Sequence, residues 1–510
     1  MKNKPLPNDV VTLQALLKQQ QEQIEFLKVA FEEQRKQNEQ LQQKLDHLLH
    51  LLYGQSSEKR PKKKSDSSEK SDDDNDPHPP ADKNKREPKK PKRKPLPDHL
   101  PRIREEYDIA EEDKTCNACG KELKKISEEI QELLDCAPLK FFVRQRVHFK
   151  YACSCGKCAP KIMPFPARVI EKGMATSGLL AEILVNKYED HLPLYRQSKR
   201  FARFGTVISR ATLCDWVRLC ANALEPIVEK MKYDALLRAI KLHVDDTPVS
   251  VLAPDKGKTK LGRLWIYQTD GSDGPACTVY DYMPNRGQKG PIDFLGNYSG
   301  FLQADAYAGY DVLYKSGRIT EVGCWSHARR KFFEIDKKTK YAGLANTAMD
   351  FIGKLYEIER MCKDMEYQKR YYLRKQSAKP ILKKYRRWLL KQQHHVLPKT
   401  PIAQAIQYNL NHWRALNNYL ADGRLSIDNN SAERSIRPIA VGRKNYLFFG
   451  SDEGGKWAAI IYSLIETCKQ HAINPYDYLK DVLTRLPTQL NSKLHELLPY
   501  NWKVITASAL

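Results

Sequence analysis

Three carboxylates, widely separated along the chain, have the residue type and local setting to bind divalent cations. Asp245 lies within LHVDDTPVSVL and Asp305 follows the apolar start of FLQADAYAGYDVL, so each is expected at a strand. Glu433 lies in IDNNSAERSIRPIAVGRKNYLFFG, among arginines and a lysine. A buried strand carboxylate costs free energy unless it is paired or binds a cation. Oxygen ligands suit Mg²⁺, and two such ions about 4 Å apart activate a nucleophile and stabilise a leaving oxygen in phosphodiester chemistry.

Glu433 also has a purely structural interpretation. Asn430 is predicted to cap a short helix that begins at Ser431 and ends near Pro438, because a proline ring cannot continue a helix. Glu433 would then be the third helical residue of a capping box, with Arg437 as an ion-pair partner four residues on. Both interpretations remain open at this level.

The first carboxylate has two candidates, because Asp245 and Asp246 are adjacent. Successive strand residues face opposite sides of a sheet, so only one of the two can point into a shared site.

Six segments, in chain order, resemble the insertion sequence 66 family of DDE transposases: HVDDTPV, GRLWIY, QADAYAGY, GCWSHARRKFFE, IDNNSAERSIRPIAVGRKNYLFFG and YSLIETCKQHAINPYDYL. The resemblance implies a ribonuclease-H-like catalytic domain in which Asp245, Asp305 and Glu433 hold two Mg²⁺ ions. The family has Asp-Glu-Thr where this chain has Asp245-Asp246-Thr247, which leaves Asp246 as the alternative first carboxylate.

The same resemblance implies a function and its partners. The expected activity is that of a DNA transposase, which binds the terminal inverted repeats of an insertion element, cleaves there and transfers the strands to target DNA. Small accessory proteins encoded nearby are implied as partners. Two other functions remain open: a zinc-dependent DNA-binding regulator with an inactive transposase scaffold, and a simple nuclease of the same fold.

Bulk composition fits an intracellular, nucleic-acid-binding protein. The chain has 510 residues and a formal charge of +24, which favours a polyanionic partner but is also compatible with a membrane surface or acidic proteins. Its start, MKNKPLPNDV, lacks an apolar signal region, and no run approaches a membrane-spanning length. We therefore expect a cytoplasmic protein whose twelve cysteines are reduced thiols or metal ligands.

The N-terminal segment has a heptad pattern. Alternating spacings of four and three place twelve residues on one stripe, nine of them apolar. They are Leu13, Leu17, Gln20, Ile24, Leu27, Phe31, Gln34, Asn38, Leu41, Leu45, Leu48 and Leu52. This pattern predicts a coiled coil that makes the protein a homo-oligomer, with a helix packed on its own chain as the alternative.

Cysteines further along have the spacing of a zinc site. Cys116 and Cys119 form one Cys-x-x-Cys knuckle, and Cys155 and Cys158 form a second, with Cys153 as an alternative ligand. Four thiolates suit a tetrahedral, structural Zn²⁺ site, whereas the alternative is a set of free thiols.

Two predicted helices carry arginines near the turn that joins them. The first ends at Gly205 and the second begins after Ser209, which is a suitable cap. The pattern fits a helix-turn-helix that presents its second helix to DNA, or a plain helical hairpin. The candidate DNA-binding residues are Arg200, Arg203 and Arg210 here, then Arg329, Arg330, Arg434, Arg437, Arg443 and Lys444.

The segment GCWSHARRKFFE contains Cys324-x-x-His327, which by itself does not make a zinc site. His327 is a candidate for orienting a catalytic carboxylate or a phosphate, and Trp325 for stacking on an extruded base. A hydrogen-bonded histidine at a helix start is the alternative.

The expected architecture is α+β and multidomain. Its parts are a coiled coil over 9–54, a disordered linker of mixed charge over 55–95, a zinc-binding domain over 96–165, a helical helix-turn-helix-like DNA-binding region over 166–232, the ribonuclease-H-like catalytic domain over 233–470 with a helical insertion at about 338–422, and a helical tail over 471–510. Strands are predicted near 242–252, 263–269, 277–282 and 300–304.

Overall fold

The computed structural model describes residues 18–41 with gaps at 19–20, 26 and 40, then 141–143, 150–151, 161–162, 166–171, and 173–503 with gaps at 254, 256 and 338–342. The candidate zinc ligands Cys116, Cys119, Cys153, Cys155 and Cys158 lie outside the described residues, as does the linker over 55–95.

The described regular elements are mostly helices. The described residues of 18–41 form α1, followed by α2 (Ser177–Tyr188), α3 (Leu194–Arg203), α4 (Arg210–Met231), α5 (Lys289–Leu295), α6 (Asp311–Lys315), α7 (Trp325–Asp336), α8 (Leu344–Met361), α9 (Tyr367–Leu373), α10 (Lys379–Gln393), α11 (Pro401–Asn411), α12 (Trp413–Asn417), α13 (Asn430–Tyr446), α14 (Asp452–Gln470) and α15 (Pro475–Arg485). The strands are β1 (Lys150–Tyr151), β2 (Lys161–Ile162), β3 (Lys241–Ala253), β4 (Lys258–Thr269), β5 (Cys277–Met283), β6 (Gly300–Gln303) and β7 (Ile319–Val322).

A five-stranded mixed sheet organises the C-terminal half, in the order β5-β4-β3-β6-β7. β3, β4 and β5 are antiparallel neighbours, whereas β6 lies parallel to both β3 and β7. The four strands expected from the sequence are confirmed as β3, β4, β5 and β6. They form because their apolar residues pack on both faces of the sheet, as in the fully buried run from Leu264 to Tyr267. The fold is mixed α/β.

The outer edge of β5 is covered by α14. Ser463 Oγ accepts the backbone N–H of Tyr280 at 2.8 Å, and Thr467 Oγ1 accepts that of Thr278 at 3.1 Å. These hydroxyls take the place of a neighbouring strand, so the edge is closed to pairing with another chain.

Between α7 and α13, the described residues form helices α8 to α12 around a core of their own. Trp325 and Phe332 of α7 belong to this core and are fully buried. The buried side chain of Arg374 donates from Nε and Nη2 to the two carboxylate oxygens of Glu359, at 2.8 and 2.6 Å. Because α7 also follows β7 directly, it links the helical region to the sheet.

The two helices expected near Gly205 are present as α3 and α4. Gly205 has φ +81°, which a glycine adopts without steric cost, and Ser209 Oγ accepts the Thr212 N–H at 3.0 Å as the cap of α4. The turn and cap therefore have the predicted residues.

Along α1, the apolar stripe is exposed. Ile24 is 52% exposed, Leu27 64% and Phe31 73%. In the described residues of α1, these side chains do not pack into a core of the same chain.

Candidate active site

Parallel pairing of β3 with β6 places Asp245 and Asp305 at the same end of the sheet. The last registered pair is His243 with Gln303, and each aspartate lies two residues further along its own chain segment. Asp305 follows the end of β6, as the sequence predicted. Neighbouring parallel strands therefore bring together two residues that are far apart in sequence.

Asp245 and Asp246 face opposite sides, and only Asp245 faces α13. It lies between His243, which contacts Asn429, and Thr247, whose Oγ1 accepts a hydrogen bond from Arg443 of α13 at 2.9 Å. Asp246 belongs to the other face, with its side chain 2% exposed.

Two arginines neutralise Asp246. Arg263 Nη1 donates to Asp246 Oδ2 at 2.9 Å, and Arg286 Nη2 donates to Oδ1 at 2.8 Å. The same Arg286 nitrogen lies 3.6 Å from Asp305 Oδ2. Both oxygens of Asp246 are thus paired with arginines. Among the ion pairs of the described residues, Asp245 has no arginine partner.

The start of α13 is fixed to β3 by Asn429. Its Oδ1 accepts a hydrogen bond from His243 Nδ1–H at 2.9 Å, and its Nδ2 donates to the Val244 carbonyl at 2.8 Å. The backbone N–H of Asn429 donates to Cys324 Sγ at 3.2 Å. The fully buried Asn429, through its side chain and its backbone N–H, therefore joins β3, the residue before α7 and the first turn of α13.

The expected limits of α13 were wrong. The helix begins at Asn430 and continues through Pro438 to Tyr446, with Asn429 at its N-cap position. A proline inside a helix costs about 3 kcal/mol in an isolated helix. Here Asn429 at one end and Arg443 at the other attach the helix to β3, and these tertiary contacts offset that cost.

The capping-box interpretation of Glu433 is also wrong. The Asn430 side chain donates to Asp428 Oδ2 at 3.0 Å rather than to the helix, and Asn429 makes no side-chain cap. The Glu433 carboxylate instead lies near α7, with Oε1 3.7 Å from His327 Nδ1 and Oε2 3.8 Å from Arg330 Nη2. Arg437 is not its ion-pair partner among the described residues.

Burial and mutual repulsion perturb the carboxylates. The pKa of Asp245 is raised to about 7, mainly by burial and also by the negative charges of Asp305, Asp246 and Glu433, against the lowering effect of the hydrogen bond from the Asp246 backbone N–H. Burial likewise raises the pKa of Asp305, opposed by the positive charge of Arg286. Three acidic side chains that repel each other's charged forms make a site that favours a cation.

The donor atoms of the three acidic residues are of the type that binds magnesium. Asp245, Asp305 and Glu433 offer carboxylate oxygens only, which is the ligand type Mg²⁺ prefers. Glu433 Oε1 is buried and has no hydrogen-bond partner within the described residues. A bound cation would satisfy this oxygen and would offset both the burial and the repulsion that raise the pKa of Asp245.

In the described residues, the compact group of possible metal ligands is a different set, which shares only Glu433 with the three carboxylates. Cys324, His327 and Glu433 each have one ligand atom within 4.8 Å of the others. Burial raises the pKa of the Cys324 thiol to about 12, so it stays protonated, and its sulfur already accepts the Asn429 N–H. Cys324 thus has a packing role, and His327 lies where it can orient Glu433.

The candidate DNA-binding residues fall into two groups. Arg443 is committed to β3, donating to Thr247 Oγ1 and to the Pro248 carbonyl at 2.8 Å, and Arg200 donates to Asn186 Oδ1 at 3.2 Å. The remaining side chains are exposed: Arg203, Arg210, Arg329, Arg330, Arg434, Arg437 and Lys444. Only the exposed group makes no hydrogen bond of this kind to the sheet or to α2, so its side chains can contact DNA.

The prediction that Trp325 stacks on a base was wrong. Trp325 is fully buried, and its Nε1–H donates to the Leu416 carbonyl at 2.7 Å. Sequence reasoning also missed Asn429 and Arg286, which organise the site. The only available signal was their position beside polar turn residues, in DNN and PNR.

Comparison with protein families extends these observations to almost the whole chain. A model described as Transposase IS66 family matches residues 172–457, which contain the sheet and all three carboxylates. An IS66 C-terminal element matches residues 463–500, and a zinc-finger binding domain of transposase IS66 matches 113–156. A fourth, described as Transposase C of IS166 homeodomain, matches 40–104.

Curated relatives are similar along most of their length. The uncharacterized protein y4hP of Sinorhizobium fredii (strain NBRC 101917 / NGR234) is 34% identical over 439 residues, covering 82% of this chain and 78% of its own. The uncharacterized protein y4jD of the same strain is 34% identical over 427 residues, covering 80% of this chain and 81% of its own.

The mixed sheet, its carboxylates and the family matches together define a transposase, with DNA as its partner and a zinc-finger region that binds structural zinc. The chain belongs to the IS66 family of transposases. In the part of the chain that the structure describes, no helix is both long and apolar enough to span a membrane.

Proposed function

We propose that this chain is a DDE transposase that binds the terminal inverted repeats of its own element, cleaves the DNA there and joins the ends to target DNA. The observation that carries the proposal is that Asp245, buried within β3, is close enough to Asp305 and Glu433 for their negative charges to add to the effect of burial in raising its pKa. The strand order, with three antiparallel strands followed by two parallel ones, supports a ribonuclease-H-like catalytic domain.

Each carboxylate is held by a different element. Asp245 is fixed within β3, Asp305 follows β6, and Glu433 is placed by the first turn of α13. These three side chains would hold two Mg²⁺ ions, which supply activation of the attacking hydroxyl and stabilisation of the leaving oxygen. Because Asp245 and Glu433 lie on regular elements and Asp305 lies two residues beyond the end of one, we expect their backbone positions to be set before DNA binds.

Neighbouring residues orient the carboxylates. Asn429 fixes the first turn of α13, and His327 and Arg330 of α7 border Glu433. Arg330 is 53% exposed, so it can also contact a DNA phosphate next to the carboxylates. Arg434 and Arg437 extend this positive charge along α13.

The direct test is an Asp305→Asn variant with DNA that carries the element ends. Asparagine keeps the size of the side chain but removes a charged oxygen, so cleavage is expected to fall by at least about 100-fold while end binding is retained. Cleavage and strand transfer are measured on gels and binding by titration, with Asp311→Asn at the start of α6 as a control for charge loss. Near-normal cleavage by Asp305→Asn would refute the assignment. Wild-type protein that binds but never cuts would indicate the regulator, and cutting without joined products a nuclease.

Zinc is expected to hold the cysteine region together, with Cys116, Cys119, Cys155 and Cys158 as ligands. The Cys116→Ser, Cys119→Ser double variant should lose bound zinc and expose residues 110–160 to protease, because such sites fold with their metal. Metal analysis and limited proteolysis measure both effects, while the melting of the sheet domain should stay unchanged. Zinc-free purified protein whose 110–160 segment resists protease would contradict this.

Removal of residues 1–53 is expected to lower the oligomeric state. The exposed stripe of Ile24, Leu27 and Phe31 on α1 is the reason, because a long apolar stripe is seldom left in water. Light scattering should report a smaller assembly, and pairing of two DNA ends should suffer more than binding of one. Equal masses for the full-length and shortened proteins would rule this out.

A further inference from the structure

An exposed apolar pair of residues follows α13 at the end remote from Glu433. Leu447 is 66% exposed and Phe448 is 42% exposed, and together they form the apolar tip. A contiguous exposed apolar surface that is rimmed by polar or charged residues is a mark of an interaction site.

The backbone beneath the apolar tip is fixed. Phe449 N–H donates to the Ser250 carbonyl at 2.9 Å, and the Leu252 N–H donates to the Phe449 carbonyl at 2.8 Å, so the chain pairs with β3. Phe449 is 4% exposed and stacks on Tyr446 with ring centroids 5.1 Å apart. Leu447 and Phe448 are thus presented by an anchored turn.

Leu447 also adopts an uncommon backbone conformation, with φ 66° and ψ −46°. A bulky residue with positive φ is strained, whereas glycine takes such angles easily. Strain of this kind concentrates at functional sites, and a leucine here is more costly for folding than a glycine would be.

An exposed stripe of three cations and one valine leads along α13 from Glu433 towards the apolar tip. Arg434, Arg437, Val441 and Lys444 are all exposed, and spacings of three, four and three put them along one side of α13. Arg434 directly follows Glu433 in the chain. A polyanion satisfies these charges, so a nucleic-acid backbone fits this surface better than an apolar peptide does.

We propose that the apolar tip inserts between bases of DNA that lies along α13. Leu447 follows Glu433 by fourteen residues. At about 1.5 Å per helical residue and about 3.4 Å per nucleotide, the tip is about six nucleotides from the bond cleaved at Glu433. α13 runs beside β3 from Val244 to Ser250, consistent with this separation. Inserted apolar side chains unstack base steps and bend the duplex, which brings more phosphate to the protein.

This inference rests on the proposed function and concerns where the DNA is deformed. The experiment uses full-length protein and duplexes of the element end in which 2-aminopurine replaces a single base, moved position by position away from the cleavage site. Its fluorescence rises when the base loses its stacking. We expect a several-fold rise confined to about four to eight nucleotides from the cleavage site.

A double variant, Leu447→Gly with Phe448→Ala, is expected to abolish that rise and to weaken DNA binding by about tenfold. Its melting temperature should not fall, because glycine relieves the backbone strain at 447. Leu490→Ala is the matched control, since Leu490 is exposed to a similar extent, 63%. A wild-type protein that cleaves the duplex without any fluorescence rise, or a double variant with an unchanged rise, would overturn the inference. Measuring cleavage by Asp305→Asn on the same duplexes tests the proposed function separately, because that variant keeps the apolar tip.

Discussion

The Glu433→Gln variant is expected to lose DNA cleavage by at least about 100-fold while its melting temperature stays within about 2 °C of the wild type. Glutamine has nearly the same size and shape, so packing against α7 and β3 is unchanged. The glutamate makes no cap, and its nearest basic neighbours, His327 and Arg330, are 3.7 and 3.8 Å away and partly exposed. The variant thus removes mainly the charge that a divalent cation would use.

The matched control for this variant is Glu453→Gln. Glu453 also lies in the first turn of a helix, α14, and its carboxylate pairs with Lys456 at 2.8 Å on the surface. This control should cleave normally, since an exposed pair of this kind contributes little to stability. Calorimetry and cleavage gels measure both proteins side by side. Normal cleavage by Glu433→Gln would leave the third carboxylate of the site unassigned.

Asp245→Asn and Asp246→Asn are expected to have opposite effects, although the residues are neighbours. Asp245→Asn should abolish cleavage without destabilising the protein. Burial raises the pKa of Asp245 to about 7, so without divalent cations the wild type loses stability as pH rises from the usual carboxyl range through about 7. Asparagine stays neutral, so the variant should be the more stable protein above that pH.

Asp246→Asn should instead lower stability by about 2 kcal/mol, because Arg263 and Arg286 lose their shared carboxylate in a buried setting. Chemical denaturation of both variants at several pH values, with and without Mg²⁺, measures these effects. The assignment of Asp245 as the first carboxylate would be wrong if Asp246→Asn lost cleavage at full stability and Asp245→Asn cleaved normally.

Local sequence signals were sufficient for the elements that carry the site. Alternating and continuous apolar residues predicted β3, β4, β5 and β6, and Gly205 with Ser209 predicted the turn between α3 and α4. These features depend on side-chain periodicity and on backbone preferences of single residues, which are properties of short segments. The family was also recognisable, because its motifs extend over nearly the whole chain.

Other features depended on contacts between distant segments. Pro438 predicted the end of a helix, yet α13 continues through it because Asn429 and Arg443 attach the helix to β3. Trp325 was interpreted as a DNA contact, yet the helices between α7 and α13 bury it. In both cases a tertiary contact outweighs the preference of a single residue.

The sequence by itself therefore determined the residue types at the site, the strands that carry two of its carboxylates, and the family of the protein. Only the tertiary structure decided that Asp245 rather than Asp246 faces α13, because Arg263 and Arg286 occupy the opposite face. It also decided that Glu433 lies against α7 instead of capping its own helix. The physical reason is that hydrogen bonds, charge pairing and burial at this site join segments up to 196 residues apart, such as Thr247 and Arg443, and no local pattern records such partners.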